Sequence, residues 1–171
     1  GIKRARPELI AIGYMGDGGG YSIGSQHLLN AAVRNEKVTL ILVNNTNYGM
    51  TGGQMAPTTL PGQKTETTPF GRDPELTGYP TKGPEFVAQV TPDSAYVARA
   101  TVSKYKQLKR FLRNALRNQI EGNGFSFVEV LSTCPTNWRT NAQQTWHFLE
   151  DEMEQYFPVG ELKNPFGKGG K

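Results

Sequence analysis

The feature that most constrains the fold is a glycine-rich turn, MGDGGG (residues 15–20), between two apolar segments. The first segment, residues 8–15, is rich in isoleucine and predicts a buried strand ending at the turn. The second, KVTLILVNN (37–45), is a β-branched run typical of a strand buried on both faces of a parallel sheet. Residues 22–35 have a helical pattern with Ser22 as candidate N-cap. This order predicts a right-handed βαβ unit.

The rest of the chain continues the alternation after one long interruption. In residues 46–83 Thr, Gly and Pro dominate, and so long an irregular stretch inside a compact domain is usually functional or disordered. Its large side chains, Tyr48, Met50, Phe70 and Tyr79, argue against simple disorder. Beyond it the pattern predicts a short helix (PEFVAQV), a strand (AYVARA), a helix (103–121), a strand (GFSFVEVL) and a final helix (AQQTWHFLEDEMEQYF). We therefore expect one α/β domain over residues 1–171, a mostly parallel sheet flanked by helices, with a C-terminal tail at 157–171.

Composition narrows the class of protein. A chain of 171 residues with 36% hydrophobic content suffices for one domain with a core. A single cysteine rules out an internal disulfide and fits a reducing, cytoplasmic compartment. No apolar run approaches the roughly 18 residues needed to cross a bilayer, so no membrane span is expected. The opening GIKRARPE lacks an initiator methionine and has the pattern of a helix tail, from which we expect a fragment of a longer protein.

The formal charge of +4 is concentrated in one segment, KYKQLKRFLRNALRN. Its apolar residues recur at helical spacing with the basic residues largely between them. A core-packed helix with a solvated basic face is the favoured interpretation, and a docking face for an acidic protein is the alternative. Nucleic acid is not an expected partner, because no recognised reader motif accompanies the charge.

The glycine turn matches neither common phosphate-binding motif. The dinucleotide fingerprint needs a third glycine where Tyr21 or Ile23 stands, and a P-loop needs a lysine that is absent. Asp17 is the informative residue, since a carboxylate repels phosphate unless a cation lies between them. Mg²⁺, which often joins a carboxylate to substrate phosphates, is the expected ion. The alternative is a turn aspartate that only caps the following helix.

Residues at the end of a second strand can complete the coordination shell of the cation. Asn45 follows Asp17 by 28 residues, about one helix plus one strand, so the βαβ unit brings them together at the carboxyl ends of the strands. The carbonyl of Asn47 can supply a third protein oxygen. Glycines 16 and 18–20 let backbone amides approach a diphosphate at the start of a helix.

These residues carry a family resemblance. GDG, 25 residues and NN resemble the thiamine-diphosphate signature. IGSQHLLNAAVRN, NNTNYGMTGGQMAPTT and GFSFVEVLSTCPTNW resemble the thiamine-diphosphate-binding β subunit of the 2-oxoacid:ferredoxin oxidoreductases, over essentially the whole chain. The β subunits of that family begin with a further segment carrying Cys-Pro-Gly-Cys, which this sequence lacks.

The resemblance implies a thiamine-diphosphate-binding fold and a set of site residues. Mg²⁺ would be bound by the side chains of Asp17 and Asn45 and the carbonyl of Asn47. Met50, Thr51 and Gln54 would lie near the reacting centre. The implied cofactor-binding residues are Gly16, Asp17, Gly18, Gly19, Asn45, Asn47, Tyr48 and Gly49.

The resemblance also gives roles to residues that are otherwise structural. Cys134 would be the fourth ligand of a [4Fe–4S] cluster in the intact subunit, whereas from the residues alone it is a buried thiol. One cysteine cannot hold such a cluster by itself. Trp138 and Trp146 are expected to be packing residues, and Gly52 and Gly53 to permit a turn.

The activity implied is oxidative decarboxylation of a 2-oxoacid such as 2-oxoisovalerate to acyl-coenzyme A, with reduction of ferredoxin, in the cytoplasm of an anaerobic prokaryote. Thiamine diphosphate serves there as nucleophile and electron sink. The expected partners are further subunits of α, γ and δ type, ferredoxin and coenzyme A. A 2-oxoglutarate enzyme, a ferredoxin-independent thiamine decarboxylase and a non-catalytic docking subunit are the alternatives. The chain alone is expected to be inactive.

Overall fold

The computed structural model describes residues 1–167 and contains a five-stranded sheet with helices on both faces. The helices are α1 (Ile2–Ala5), α2 (Ser25–Val33), α3 (Pro74–Thr77), α4 (Gly83–Val90), α5 (Tyr105–Ile120), α6 (Pro135–Trp138), α7 (Ala142–His147) and α8 (Glu154–Tyr156), with π-helical segments at Gly19–Ile23 and Phe148–Met153. The strands are β1 (Ile12–Gly16), β2 (Thr39–Asn44), β3 (Asn47–Tyr48), β4 (Gln54–Met55), β5 (Tyr96–Thr101), β6 (Ser126–Leu131) and β7 (Gly160–Lys163).

The large sheet has the order β1-β2-β6-β5-β7, and its first four strands are parallel. The prediction of a mostly parallel α/β sheet is therefore confirmed. Only β7 runs antiparallel, beside β5. Strands β3 and β4 form a separate two-stranded hairpin in the irregular region 46–83.

The hydrophobic core lies on both faces of this sheet. As a result, β5 and β6 are buried along their whole length. Val97 and Phe127 face α2 and α4, whereas Ala98 and Val128 face α5. The period of two along each strand sends alternate residues to opposite faces. In residues 1–167 no helix is long and apolar enough to cross a membrane.

Two predicted boundaries at the start of the chain are wrong. Strand β1 begins at Ile12 rather than at residue 8, because residues 7–9 form a turn in which the Leu9 amide donates to the Arg6 carbonyl. Ser22 is not an N-cap. It lies inside the first π-helical segment, where the Gly24 amide donates to the Gly19 carbonyl at 2.8 Å, and α2 begins only at Ser25.

The end of the chain is more regular than its sequence predicts. The final helix is one helical run interrupted by a six-residue π-helical segment between α7 and α8. The segment 157–171, expected to be a tail, contributes β7 to the sheet. Its last four residues, 168–171, lie outside the described residues.

Candidate cofactor and metal site

The carboxyl ends of β1 and β2 open into a cleft of about 510 Å³. The parallel register pairs Gly16 with Val43, which brings the glycine turn beside the end of β2. All eight residues predicted to bind cofactor line this cleft. The lining residues are Gly16, Asp17, Gly18, Gly19, Asn45, Asn47, Tyr48, Gly49, Met50, Thr51, Cys134, Thr136 and Asn137.

Asp17 is a buried carboxylate, only 2% exposed. It accepts hydrogen bonds from the Gly18 amide at 2.9 Å and the Thr58 hydroxyl at 2.5 Å. Burial raises the pKa of Asp17 to about 6, although these donors and the Thr46 amide oppose the shift. Within residues 1–167 no lysine or arginine forms a salt bridge with it. A bound cation would relieve the desolvation of this carboxylate.

The residues at and after the end of β2, 44–49, form a segment that approaches Asp17 and is called the asparagine segment. The Asn44 side-chain oxygen accepts from the Thr46 amide at 3.1 Å, and Thr46 takes the left-handed conformation at φ 60°. Asn45 Oδ1 accepts from the Asn47 amide at 3.4 Å. Asn47 is 2% exposed, and its Oδ1 is buried without a hydrogen-bond partner. Asn47, with this unpaired amide oxygen, lines the same cleft as the Asp17 carboxylate, which has no cationic partner in the described residues. Such a set of oxygens suits a hard cation.

The glycines leave room in the cleft. A Cβ added to Gly16 or Gly19 would meet no atom within 4 Å, so a side chain there would project into open space. At Gly18 an added Cβ would lie 2.2 Å from the Tyr48 ring, and the Tyr48 hydroxyl donates to the Gly18 carbonyl at 3.4 Å. Among the described lining residues there is one carboxylate and no lysine or arginine. A diphosphate would therefore need a metal ion for neutralisation, and these residues fit Mg²⁺ together with a diphosphate.

A short helix fixes the asparagine segment from the other side of the cleft. The side-chain amide of Asn137 donates to the Gly49 carbonyl at 2.7 Å and to Cys134 Sγ at 3.3 Å. The Trp138 indole N–H donates to the Asn45 carbonyl at 3.1 Å, and its ring also packs on Phe148 at 4.6 Å between centroids. Sequence reasoning predicted only the packing role of Trp138 and missed Asn137, because no motif marks either hydrogen bond.

The loop after β3 forms the mouth of the cleft. Met50 is fully exposed, and Met50 and Thr51 line the cleft. Gln54 is not among the described lining residues. Its side chain instead holds Thr51, accepting from the hydroxyl at 2.5 Å and donating to the carbonyl at 2.9 Å. Gly52 and Gly53 have φ of 113° and 90°, which confirms the turn expected there.

Arg72 organises the irregular region behind Asp17. Its side chain is 4% exposed and donates hydrogen bonds to backbone carbonyls. Two of these lie in the turn 57–59: the Thr59 carbonyl at 2.5 Å and the Pro57 carbonyl at 3.1 Å. The turn between these two carbonyls holds Thr58 against Asp17. No sequence signal marked this arginine.

A buried charged network lies beneath the site. Glu129 and Arg99 are fully buried and form an ion pair across neighbouring strands β6 and β5. Arg99 also donates to both carboxylate oxygens of Glu85 at 2.7 Å. Burial alone would lower the pKa of Arg99, but the two carboxylates raise it above its usual value. The sequence analysis missed this network, although Arg99 and Glu129 are each the single charge in an apolar strand segment.

Histidine, cysteine and acidic residues form no cluster of three or more within residues 1–167. Cys134 is free and partly buried at the edge of the cleft. The described residues therefore hold no ready-made site for zinc or for a complete iron–sulfur cluster.

Comparison with curated proteins gives relatives of one enzyme class. The chain is 44% identical over 167 residues to the ketoisovalerate oxidoreductase subunit VorA of Methanothermobacter thermautotrophicus, covering 96% of this chain and 35% of the relative. It is 40% identical over 157 residues to the 2-oxoglutarate synthase subunit KorB of Archaeoglobus fulgidus, covering 91% of this chain and 54% of the relative. The chain thus spans between a third and about half of the length of these relatives.

A solved structure shares the fold. It is a 2-oxoglutarate:ferredoxin oxidoreductase from Magnetococcus marinus with 2-oxoglutarate, coenzyme A and succinyl-CoA bound. The TM-score is 0.70 at 32% identity, over 87% of this chain and 47% of that one. The family model described as thiamine pyrophosphate enzyme, C-terminal TPP binding domain, matches residues 1–130. The chain therefore belongs to the C-terminal TPP-binding domain family of the thiamine pyrophosphate enzymes.

Proposed function

We propose that this chain is the Mg²⁺- and thiamine-diphosphate-binding part of a 2-oxoacid:ferredoxin oxidoreductase. One observation carries the proposal: the buried Asp17 carboxylate lacks a cationic partner in the described residues and shares its cleft with Asn47, whose Oδ1 is buried without a hydrogen-bond partner. The similarity to ketoisovalerate and 2-oxoglutarate oxidoreductase subunits supports the enzyme class.

In this proposal Asp17, Asn45 and Asn47 hold the Mg²⁺. Asn47 can offer its carbonyl, as the resemblance implies, and also its unpaired Oδ1. The diphosphate would lie against Gly16, Gly18 and Gly19: no side chain occupies the space at Gly16 and Gly19, and the Tyr48 ring borders Gly18. When bound, thiamine diphosphate supplies the nucleophilic carbon and the electron sink for cleavage of a 2-oxoacid. Tyr48 and Gly49 complete the cofactor-binding wall.

The mouth of the cleft is the proposed place of the substrate. Met50 and Thr51 border it, and Gln54 acts indirectly by orienting the Thr51 side chain and backbone. Because Met50 is fully exposed, it can pack against a substrate or a neighbouring subunit without losing an internal contact.

Cys134 is the proposed fourth ligand of a [4Fe–4S] cluster whose other three thiolates come from outside this chain. The Asn137 amide donates a hydrogen bond to its sulfur at 3.3 Å, a contact of the kind that tunes cluster potential. The same Asn137 holds the Gly49 carbonyl, so the cluster ligand and the cofactor wall share one anchor.

The proposed substrate is 2-oxoisovalerate, with 2-oxoglutarate as the second candidate because a 2-oxoglutarate enzyme shares this fold. Ferredoxin, coenzyme A and further subunits of the oxidoreductase are the proposed partners, in the cytoplasm.

The test is an assay of the chain assembled with the other subunits of the proposed oxidoreductase. We expect coenzyme A-dependent reduction of ferredoxin with 2-oxoisovalerate, and loss of this activity in Asp17→Ala. Faster reduction with 2-oxoglutarate would shift the substrate to the second candidate. Full turnover of an iron-free assembly would instead favour a simple decarboxylase. Salt-sensitive partner binding that survives loss of Asp17, without turnover, would favour a docking subunit.

A further inference from the structure

We propose that Glu129 is a positioning residue that sets the spacing between the two halves of the metal site. The inference rests on the proposed function, because its consequence is the affinity for Mg²⁺ and thiamine diphosphate. Glu129 lies in β6 and forms no described hydrogen bond with Asp17 or Asn45, so its positioning effect passes through other residues. Its negative charge also contributes to the raised pKa of Asp17, which is why the hydrogen-bond variant Tyr21→Phe is tested beside Glu129→Gln.

A single carboxylate oxygen receives one hydrogen bond from each half of the site. The Tyr21 hydroxyl donates to Glu129 Oε1 at 2.8 Å, and Tyr21 belongs to the π-helical segment that directly follows Asp17 and Gly18. The Asn44 side-chain amide donates to the same Oε1 at 3.2 Å, and Asn44 directly precedes Asn45. The glycine turn and the asparagine segment are thus tied to one buried atom.

The bond to Asn44 has a further consequence for the asparagine segment. Because Glu129 accepts a hydrogen bond from Asn44 Nδ2, the Oδ1 of Asn44 points to the Thr46 backbone amide. It accepts a hydrogen bond from that amide at 3.1 Å. Thr46 adopts φ 60°, a conformation that a non-glycine residue takes only when local contacts favour it. We infer that Glu129 fixes the amide orientation of Asn44 and thereby the turn that presents Asn45 and Asn47.

A carboxylate is the group that this arrangement needs. Its Oε1 accepts two donors while Oε2 pairs with Arg99, which Glu85 holds from α4. A glutamine could accept from Arg99 only by turning its NH₂ group toward Asn44, where two donors would face each other. Arg99 would keep its two bonds to Glu85 in that variant, so the buried guanidinium would not be left unpaired.

The experiment that tests this role of Glu129 compares Tyr21→Phe, Glu129→Gln and a matched control with the parent chain. Tyr21→Phe removes only the hydroxyl and keeps the ring that packs on Phe127. The control is Tyr96→Phe, since Tyr96 is also buried and donates to a carboxylate, Glu161 at 2.6 Å, on the opposite face of the sheet. Two quantities are measured: Mg²⁺-dependent thiamine diphosphate affinity by calorimetry, and amide hydrogen exchange of residues 44–49 without ligand.

We expect Tyr21→Phe to weaken the affinity about fivefold and Glu129→Gln about tenfold or more, the loss of one hydrogen bond to a charged group or of the pair. Glu129→Gln should also speed exchange in residues 44–49. Tyr96→Phe should leave both quantities at parental values despite a similar loss of stability. Parental affinity in both Tyr21→Phe and Glu129→Gln, or an equal loss in Tyr96→Phe, would overturn the inference. A parent that binds no cofactor would contradict the proposed function instead, while the exchange data would still decide the role of Glu129.

Discussion

Asp17 combines deep burial with the absence of a positive partner in the described residues, and this has a thermodynamic consequence. Its pKa is raised by burial from 3.8 to about 6 in the folded chain. Folding therefore favours the protonated form: the group costs no stability below its unfolded pKa, and the cost develops as the pH rises through the folded value. A shift of this size corresponds to roughly 3 kcal/mol at pH above 7 in the absence of a cation.

We accordingly predict that Asp17→Asn stabilises the metal-free chain while abolishing Mg²⁺-dependent cofactor binding. In the presence of EDTA at pH 8 the variant should gain about 1–3 kcal/mol over the parent, because the amide keeps both hydrogen-bond partners without a buried charge. The difference should shrink as the pH falls from 6 to 4. Thermal unfolding across this range measures it, with the exposed Asp93→Asn as control. A variant less stable than the parent at pH 8 would contradict the account.

At the scale of elements, the site is a meeting of segments rather than a property of one motif. Helix α6 follows the end of β6 and reaches back to the segment after β2, where Trp138 holds the Asn45 carbonyl and Asn137 the Gly49 carbonyl. These anchors come from a part of the sequence more than 80 residues away. The asparagine segment is therefore held from below by Glu129 through Asn44 and from the side by α6.

Trp138→Phe tests the anchor on Asn45. The phenyl ring preserves an aromatic contact with Phe148 but removes the indole donor, so the Asn45 carbonyl keeps only the Thr46 hydroxyl, at 2.8 Å, as a donor. We predict that the Mg²⁺ concentration needed for half-maximal cofactor binding rises about fivefold, the effect of one hydrogen bond. The half-exposed Trp146→Phe serves as control and should leave it unchanged. If both variants behave alike, the indole N–H has no positioning role.

Some elements could be predicted from the sequence because one physical pattern determines them. The apolar runs of β2 and β6 predict buried parallel strands, and the parallel arrangement then places Asp17 near Asn45. Strand β7, with the sequence GELK, could not be recognised, since its place depends on pairing at the sheet edge rather than on an apolar pattern. The π-helical segment after Asp17 was missed because its residues share the pattern of an α-helix.

The charged network shows what long-range packing adds. Arg99 and Glu129 are opposite charges at paired positions of neighbouring strands, and each stands alone among apolar residues. Their opposite signs were a usable signal, but the order β6-β5 in the sheet was needed to bring them together. The bonds from Tyr21 and Asn44 depend on side-chain geometry that no sequence spacing encodes.

At the scale of the whole molecule, we expect the described cleft to be incomplete as a catalyst. Asp17 is its only carboxylate, and the proposal commits that group to the metal. The resemblance to the 2-oxoacid:ferredoxin oxidoreductases implies that the carboxylate that activates the aminopyrimidine of thiamine diphosphate comes from another polypeptide region. The chain alone should therefore bind cofactor yet show no 2-oxoacid-dependent dye reduction, whereas the assembly with its partner subunits should show it. Measurable reduction by the chain alone would overturn this prediction.

The most direct test of the central claim is calorimetric titration of the chain, assembled with its subunits, with thiamine diphosphate in Mg²⁺ and in EDTA. We expect saturable binding in Mg²⁺, little binding in EDTA, and little binding by Asp17→Ala in either buffer. Equal affinity in Mg²⁺ and EDTA, or parental affinity in Asp17→Ala, would contradict the assignment of Asp17 as a ligand of the cation that holds the diphosphate.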